Sequence, residues 1–415
     1  MNYHLDYFTK HRIFPILGKI FSSPYDWGGI RLIPPTLGFT PEPGVPYAEY
    51  WLGVHKKAPA QVILPDGTTQ PLDQIIQKNP GNVLNNHVAK KFGNLPFLFK
   101  LLDAGEMLSI QVHPNKQQAE EGFMQEEEKG ISITDSKRTY KDKNHKVEFA
   151  VAMDEFWLLH GFRQKEDLRT ILTEVEELQP LLSSFDGEDY RNLYKHIMID
   201  MNEEQANTIL HTLAQRILPQ YEAGQLTKSQ PDYWAAKAMK YMQMSDGNYD
   251  RGIFSIYLLN LVRLETGQAI FQDAGVLHAY LEGPIIEIMT TSDNVARGGI
   301  TGKYVDVDEL MKLVTFTGVK PHIITGRKIE NETFYNSPCK EFLLSKIEPK
   351  ENSSYKKTSQ SAEIFMGMEG DANIRSDDNQ LSVGKGKSTI IFAETTYEIT
   401  GAEGDIVFRA SIPDA

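Results

Sequence analysis

The segment Gly105-Glu-Met-Leu-Ser-Ile-Gln-Val-His113 combines a glycine turn with a strand on which Ser109, Gln111 and His113 should share one face. Leu108, Ile110 and Val112 fall on the other. An apolar side for a barrel wall, with an amide and an imidazole two residues apart on the polar side, is how a β-barrel aims two ligands at one metal ion. Standing alone, such a pair is more often a hydrogen-bonded or exposed polar pair than a metal site. A second segment shifts that balance. Gly267-Gln-Ala-Ile-Phe-Gln-Asp-Ala-Gly-Val-Leu-His278 again runs from a glycine through a strand and a glycine turn to a histidine that opens a new strand.

Together, Gly105-x5-Gln-x-His and Gly267-x5-Asp-x-Gly-x2-His resemble the paired motifs of the cupin superfamily, whose barrels bring His and acidic ligands from neighbouring strands onto one divalent metal. Gln111 stands here for the first histidine and Asp273 for the usual proline, and no Glu follows His113 at short spacing. Tyr140-Lys-Asp-Lys-Asn-His-Lys-Val-Glu148 supplies the missing acid and narrows the resemblance to type I mannose-6-phosphate isomerases, which carry a near-identical Y-K-D-x-N-H-K-P-E; Val147 replaces the proline. Similar to that family as well are Pro24-Tyr-Asp-Trp-Gly28, Ala48-Glu-Tyr-Trp-Leu-Gly53 with Lys57-Ala-Pro59, Leu95-Pro-Phe-Leu-Phe-Lys100, Leu277-His-Ala-Tyr-Leu281 and Ser292-Asp-Asn-Val-Ala-Arg297. Gly302-Lys303 follows where the family usually has Pro-Lys.

The resemblance implies one zinc ion per chain, held by Gln111, His113, Glu148 and His278. One anionic and three neutral ligands leave most of the metal's charge uncompensated, which suits a Lewis acid; a purely structural zinc would more often use thiolates. Nitrogen and oxygen ligands are also compatible with iron or manganese. The implied substrate is a phosphorylated hexose, and the implied reaction interconverts mannose 6-phosphate and fructose 6-phosphate by proton transfer between C1 and C2 through an enediolate. Arg297 is assigned the developing charge, and Lys146 and Glu287 compete for the role of base. Lys100, Ser109 and Lys303 are assigned to substrate. Asp293 is a further catalytic candidate, although for Asp293 and Glu287 a structural carboxylate is an equal reading. Trp27 and Tyr280 could pack on the sugar ring, although aromatics are more often core. His145, beside Lys146, could shuttle protons or line the site, although a lone histidine is usually structural. The rival activities are a metal-dependent cupin oxygenase, an isomerase of another phosphosugar, and a sugar-phosphate sensor without chemistry.

Such ligands need rigid elements to hold them. The 415 residues suffice for two or three domains, and 40% apolar with 24% charged residues is a globular composition. The net charge of −13 disfavours a nucleic-acid partner, and no run reaches the roughly 20 apolar residues of a membrane span. A single cysteine, Cys339, rules out an intramolecular disulfide and a thiolate metal cluster, which fits the cytoplasm; a monomer is expected.

Up to about residue 160, short apolar runs broken by Pro and Gly read as antiparallel strands. Leu168, Ile171, Leu172, Val175 and Leu178, then Ala206, Ile209, Leu210, Leu213 and Ile217, repeat at helical spacing. Strand character returns over 253–264. The expected fold is therefore mainly β with a helical insert: cupin-type jelly-roll barrels plus an α-helical domain. Residues 1–161 and 247–320 form the catalytic β domain, 162–246 the helical insert, and 321–415 a C-terminal cupin-like β domain without metal. In that last region 350–360 and 375–380 read as polar loops, and the acidic run 125–129 reads as a solvated face.

Overall fold

Strand Phe97–Ala104 shows how the sheets divide inside from outside. All of its residues are buried, so no polar–apolar alternation marks its two faces. Phe97, Phe99 and Leu101 nevertheless enter one apolar core, while Leu98, Lys100 and Leu102 turn to the opposite face and line a cleft. The computed structural model describes residues 5–242, 247–351, 353–377 and 379–413. The expected domain limits at residues 1, 246 and 415 lie outside the described residues.

The cleft-bearing sheet has ten strands. Its main path runs Leu259–Leu264, Phe156–Phe162, His278–Thr290, Phe97–Ala104, Glu49–Gly53 and Lys19–Phe21, antiparallel throughout. The long strand His278–Thr290 also pairs with Glu148–Ala152 and Gln111–Val112, so every implied ligand strand touches it. Its register shifts between Tyr280 and Glu282, a bulge that moves the inward phase by one residue. His278 and Tyr280 therefore face the cleft before the shift, and Glu287 and Met289 face it afterwards.

A nine-stranded sheet and a four-stranded sheet occupy the C-terminal region and enclose Ile347, Phe365, Ile374, Val383, Ile399 and Val407. The nine-stranded sheet is not made by residues after 320 alone. Strand Ile13–Leu17 lies between Ser388–Ile391 and Gln61–Ile63, and Thr69–Pro71 forms its far edge. Phe14, Ile16 and Val62 thus meet Ile364, Ile390 and Phe408 in the core that also receives Phe97 and Phe99. The two large sheets share that core.

The helical periodicity corresponds to helices Lys165–Glu174, which buries Leu168 and Leu172, and Glu203–Glu222, which buries Ala206, Leu210, Leu213 and Ile217. With helix Pro231–Tyr241 they cover the outer side of the ligand strands, where Ile110, Val112, Leu159 and Phe162 are buried. Each such side chain contributes roughly 1.5–3 kcal/mol by leaving water. Among the described residues no helix is long and apolar enough to cross a membrane.

Several expectations need correction. The structure is sheet-rich, as expected, but helix is as abundant as strand, about 30% against 29%, so helices extend beyond the one insert. Helices Leu72–Lys78, Pro80–Leu84 and Asn86–Phe92 replace expected strand structure; each is too short for a repeating stripe, and Pro80 opens a helix where it read as a break. Helix Lys116–Glu128 buries only Ala119 and Gly122, and its sequence signal was the Asn115/Gln118 capping box. Ile253–Leu258 is helical before the strand Leu259–Leu264, because six fully buried residues carry no period. Strand Tyr355–Thr358 lies within the expected loop 350–360, and Asn373–Ser376 with Gln380–Ser382 forms a hairpin across 375–380. Residues 352 and 378 of those stretches lie outside the described residues.

Candidate metal centre and cleft

Backbone pairing brings the chemistry together. Gln111 stands opposite His278 on one side and opposite Arg297 on the other. The glycine turn between the two motifs has Gly275 at φ +79°, where a Cβ would strike Thr315, and its N–H donates to the His113 carbonyl at 2.9 Å. One hydrogen bond thus ties the two histidine-bearing segments together.

His113, Glu148 and His278 are all buried, and one ligand atom from each lies within 4.8 Å of the others. Among the described residues this is the one His/Cys/Asp/Glu cluster with metal-holding geometry. His113 Nε2 is 3.3 Å from Glu148 Oε1, and His278 Nε2 is 3.3 Å from Glu148 Oε2. Each imidazole places Nδ1 2.9 Å from a backbone carbonyl, of Asn294 and Val276 respectively. Donation from Nδ1 leaves both Nε2 lone pairs free to ligate. Burial, with the Lys146 charge adding to it, pushes His113 down to about 3, so the ring is neutral as a ligand must be. Burial alone would raise the Glu148 carboxyl; Lys146 and His113 overcome it and hold it well below the usual range.

Lys146 Nζ lies 2.6 Å from Glu148 Oε1 and 3.1 Å from His113 Nε2, reaching the same donor atoms. Gln111 Nε2 donates to Ser109 Oγ at 3.1 Å, which leaves the amide oxygen free of that bond. Ser109 and Gln111 both line the cleft, and so does Leu108, expected on the opposite face; only Gln111–Val112 is regular strand here. Two imidazoles, a carboxylate and an amide oxygen fit a divalent ion such as zinc.

The cleft encloses about 880 Å³ and is lined by every residue assigned above to metal, substrate or catalysis except the fully buried His113; His145 is not part of the lining. A cation bridges carboxylates on one wall: Lys100 Nζ is 2.8 Å from Glu287 Oε2 and 3.2 Å from Glu49 Oε1. Burial would lower the Lys100 pKa, but Glu287 and Glu49 more than reverse this and raise it. Lys100 therefore lines the cleft with its charge already shared between two carboxylates. Tyr280 lines the cleft as well. Its hydroxyl donates to Glu287 Oε1 at 3.0 Å and reaches Glu148 Oε2 at 3.4 Å, and its ring packs edge-on to Phe156. Burial and the nearby Glu148 charge raise the Glu287 carboxyl, against the opposing pull of Lys100. Trp27 is half-buried and borders the opening.

At the other end the cations are unpaired. Among the described residues neither Arg297 nor Lys303 has a carboxylate within ion-pair reach. Desolvation lowers the pKa of both, and for Lys303 the Arg297 and Lys57 charges add to it. Such mutual repulsion is what an anion relieves. Asp293, four residues before Arg297, does not brace it. It accepts from Lys57 Nζ at 2.9 Å and His55 Nε2 at 3.3 Å, and those partners overcome burial and hold its carboxyl far below the usual range. A carboxylate held that far down is a weak proton acceptor.

Sequence reasoning missed the residues that hold these side chains. Asp142 accepts from Ser292 Oγ at 2.9 Å and the Asp293 N–H at 2.9 Å, while the Asn294 amide bridges the backbone at 141, 142 and 144. This clamp joins the Lys146–Glu148 loop to the segment leading to Arg297. Both residues stand inside the quoted motifs, but Asp and Asn in loops read as turn formers. His145 turns away from the cleft, with Nε2 3.3 Å from Glu341 Oε1 of the C-terminal region.

Known proteins add a name to this geometry. Residues 19–165 match the family description "Phosphomannose isomerase type I, catalytic domain". Mannose-6-phosphate isomerase of Escherichia coli (strain K12) is 32% identical over 379 residues, 89% of this chain and 92% of the relative. That of Rattus norvegicus is 33% identical over 396 residues, 88% and 89%. A crystal structure of a point mutant of phosphomannose isomerase from Salmonella typhimurium superposes with a TM-score of 0.86 at 31% identity, covering 97% of this chain and 100% of that one. A structure titled mannose 6-phosphate isomerase (holo; zinc bound) gives 0.85 at 30% identity over the same shares. With relatives of that length and likeness, the cleft is that of an isomerase. More narrowly, the chain belongs to the type I mannose-6-phosphate isomerase family.

Proposed function

We propose that the protein interconverts mannose 6-phosphate and fructose 6-phosphate with one zinc ion per chain, held by Gln111, His113, Glu148 and His278. The observation that carries this reading is one cleft with a buried His–Glu–His cluster beside unpaired Arg297 and Lys303. Zinc bound there would supply a positive charge that favours an enediolate over its carbonyl precursor. The remaining work falls to side chains. Lys303 and Ser109 hold the phosphorylated end of the sugar, and Arg297 supports charge that develops on oxygen during proton transfer.

Lys146 is better placed than Glu287 to carry the proton between C1 and C2. Both Glu287 oxygens are held by neighbouring side chains, Tyr280 and Lys100, whereas the Lys146 contacts are to Glu148 and His113, atoms that a bound metal would take over and so release the amine. Lys100 and Tyr280 then serve to keep Glu287 and Glu148 in place. We read the two β regions as cupin-type barrels, supported by the paired glycine–histidine motifs, and the C-terminal one as a metal-free packing partner. The test is a coupled assay for fructose 6-phosphate from mannose 6-phosphate, with and without chelator. Absence of turnover in zinc-loaded protein would favour the sensor reading, and turnover restored only by iron or manganese would overturn the choice of metal.

A further inference from the structure

Among the described residues Arg297 and Lys303 have no carboxylate to hold them, and the backbone around them does the aiming. Arg297 ends a two-residue strand, and the chain then turns through Gly298, Gly299 and Ile300. Gly298 donates to the Ile110 carbonyl at 2.8 Å and Ile110 to the Gly299 carbonyl at 3.0 Å, which anchors the start of the turn. Ile300 has φ +52°, a left-handed conformation that a β-branched residue adopts only when its surroundings impose it. Ile300 is buried and lines the cleft.

Asp250 imposes it. Its Oδ1 accepts from Ile300 N at 2.9 Å and from Gly252 N at 2.7 Å, and its Oδ2 accepts from Thr301 N at 3.4 Å. Gly252 and Gly299 meet backbone to backbone: a Cβ on Gly252 would lie 2.7 Å from the Gly299 Cα and 2.7 Å from the Ile300 nitrogen. On its other side the same short segment is riveted to the helical region. The Tyr249 N–H donates to Asn207 Oδ1 at 2.8 Å, and Arg251 NH1 donates to the carbonyls of Ile197 at 2.9 Å and Met201 at 3.2 Å.

We propose that Asp250 is a positioning residue for Arg297 and Lys303, through which the helical region sets the cationic end of the cleft. The inference rests on the isomerase reading above. Asparagine at 250 keeps the size, and its amide oxygen can still accept from Ile300 and Gly252, but it sets an N–H donor against the Thr301 N–H and removes the carboxylate charge that strengthens the other two bonds, so the turn loosens and the guanidinium drifts. A displacement of about 1 Å at a reacting centre costs on the order of 10²-fold.

The experiment is a double-mutant cycle in the full-length, zinc-loaded protein: wild type, Asp250→Asn, Arg297→Ala and the pair, assayed with mannose 6-phosphate. Asp250→Asn is expected to lower kcat/KM by about ten- to a hundredfold, the scale set by such misplacement, with zinc content and melting temperature unchanged. In the Arg297→Ala background the same change should have little further effect, because its target is gone. Full, additive costs in both backgrounds would overturn the proposal, as would wild-type activity in Asp250→Asn. Should the amide variant not fold, Asp250→Ser keeps one acceptor and carries the same cycle; failure of both to fold also overturns it, because the carboxylate then holds the fold and not the cations. Inactive wild-type protein would instead bring down the isomerase reading.

Discussion

Two buried charge clusters, one in each large β region, are built alike and differ in what surrounds them. In the cleft, Lys100 lies between Glu49 and Glu287, and the Tyr280 hydroxyl donates to Glu287. In the C-terminal region, Arg409 lies between Glu332 at 3.2 Å and Glu363 at 3.7 Å, with Tyr397 donating to Glu363 at 2.7 Å and Tyr355 to Glu332 at 2.7 Å. Each is a cation bridging two carboxylates with phenol donors, in a setting where unpaired charge would be costly. Only the first has imidazoles beside it and a cleft in front of it. The C-terminal cluster is closed on itself, and burial raises the Glu363 carboxyl despite Arg409. Ionic side chains within a β structure thus do not by themselves gather metal-ligand atoms; the cleft cluster differs in having two histidines with committed Nδ1 atoms and an opening.

The comparison breaks most visibly when the metal is removed. Chelation, or His278→Ala, should cost several kcal/mol of transition-state stabilisation, on the order of 10³-fold in kcat. The protein should stay folded, because its apolar cores do not depend on the metal. Metal analysis with circular dichroism checks both halves, and an active His278→Ala variant would remove the ligand assignment. Next in size, Arg297→Ala should lower kcat by about 10²- to 10³-fold while zinc remains bound, whereas Lys303→Ala should act first on KM. Near-normal kcat in Arg297→Lys would show that a charge without the guanidinium geometry is enough.

Paired substitutions sharpen the contrast between the clusters. Arg409→Met leaves two buried carboxylates without their cation and should destabilise by about 3–5 kcal/mol in chemical denaturation, with kcat of the folded fraction unchanged. Lys100→Met should show a similar stability loss together with a fall in kcat, since Glu287 and the neighbouring Glu148 would shift. Equal kcat in the two variants would mean that the Lys100 bridge has no bearing on chemistry.

The smallest effect concerns Glu341, which the hydrogen bond from His145 brings down to about 2 from an ordinary value near 4.5. A carboxyl depressed on folding contributes stability above its unfolded pKa and loses it as pH falls through the folded one. Wild-type stability should therefore decline between about pH 4.5 and 2 more steeply than that of Glu341→Gln. Superimposable acid-denaturation curves would show that the His145–Glu341 contact adds nothing.

Much of the centre was legible because its spacing is local. Gln111 and His113 two apart, the glycine turns, and Glu148 at the end of a charged loop all carry their geometry in the sequence itself. The bulge at Tyr280 was not legible, although it lets His278 and Glu287 face the same cleft across an odd spacing. The pairing of Lys100 with Glu49 and Glu287 spans 51 and 187 residues, and nothing in a linear pattern distinguishes a bridging lysine from a free one. Helices escaped where apolar residues were too few, as in Lys116–Glu128, or too many, as in Ile253–Leu258.

Strand Ile13–Leu17 also bears on the order of events during synthesis. Its partner Ser388–Ile391 is among the last strands of the described chain, and Ser388 Oγ reaches the Ile16 carbonyl across 372 residues. At roughly 5–20 residues per second a ribosome needs about 20–75 s to cover that separation. Gln61–Ile63 can protect one edge early, but the other edge and the rings of Phe8 and Phe14 wait for Ile390 and Phe392. Until that partner emerges the nascent chain carries an open β edge, where a chaperone, or a second nascent copy, can find it first.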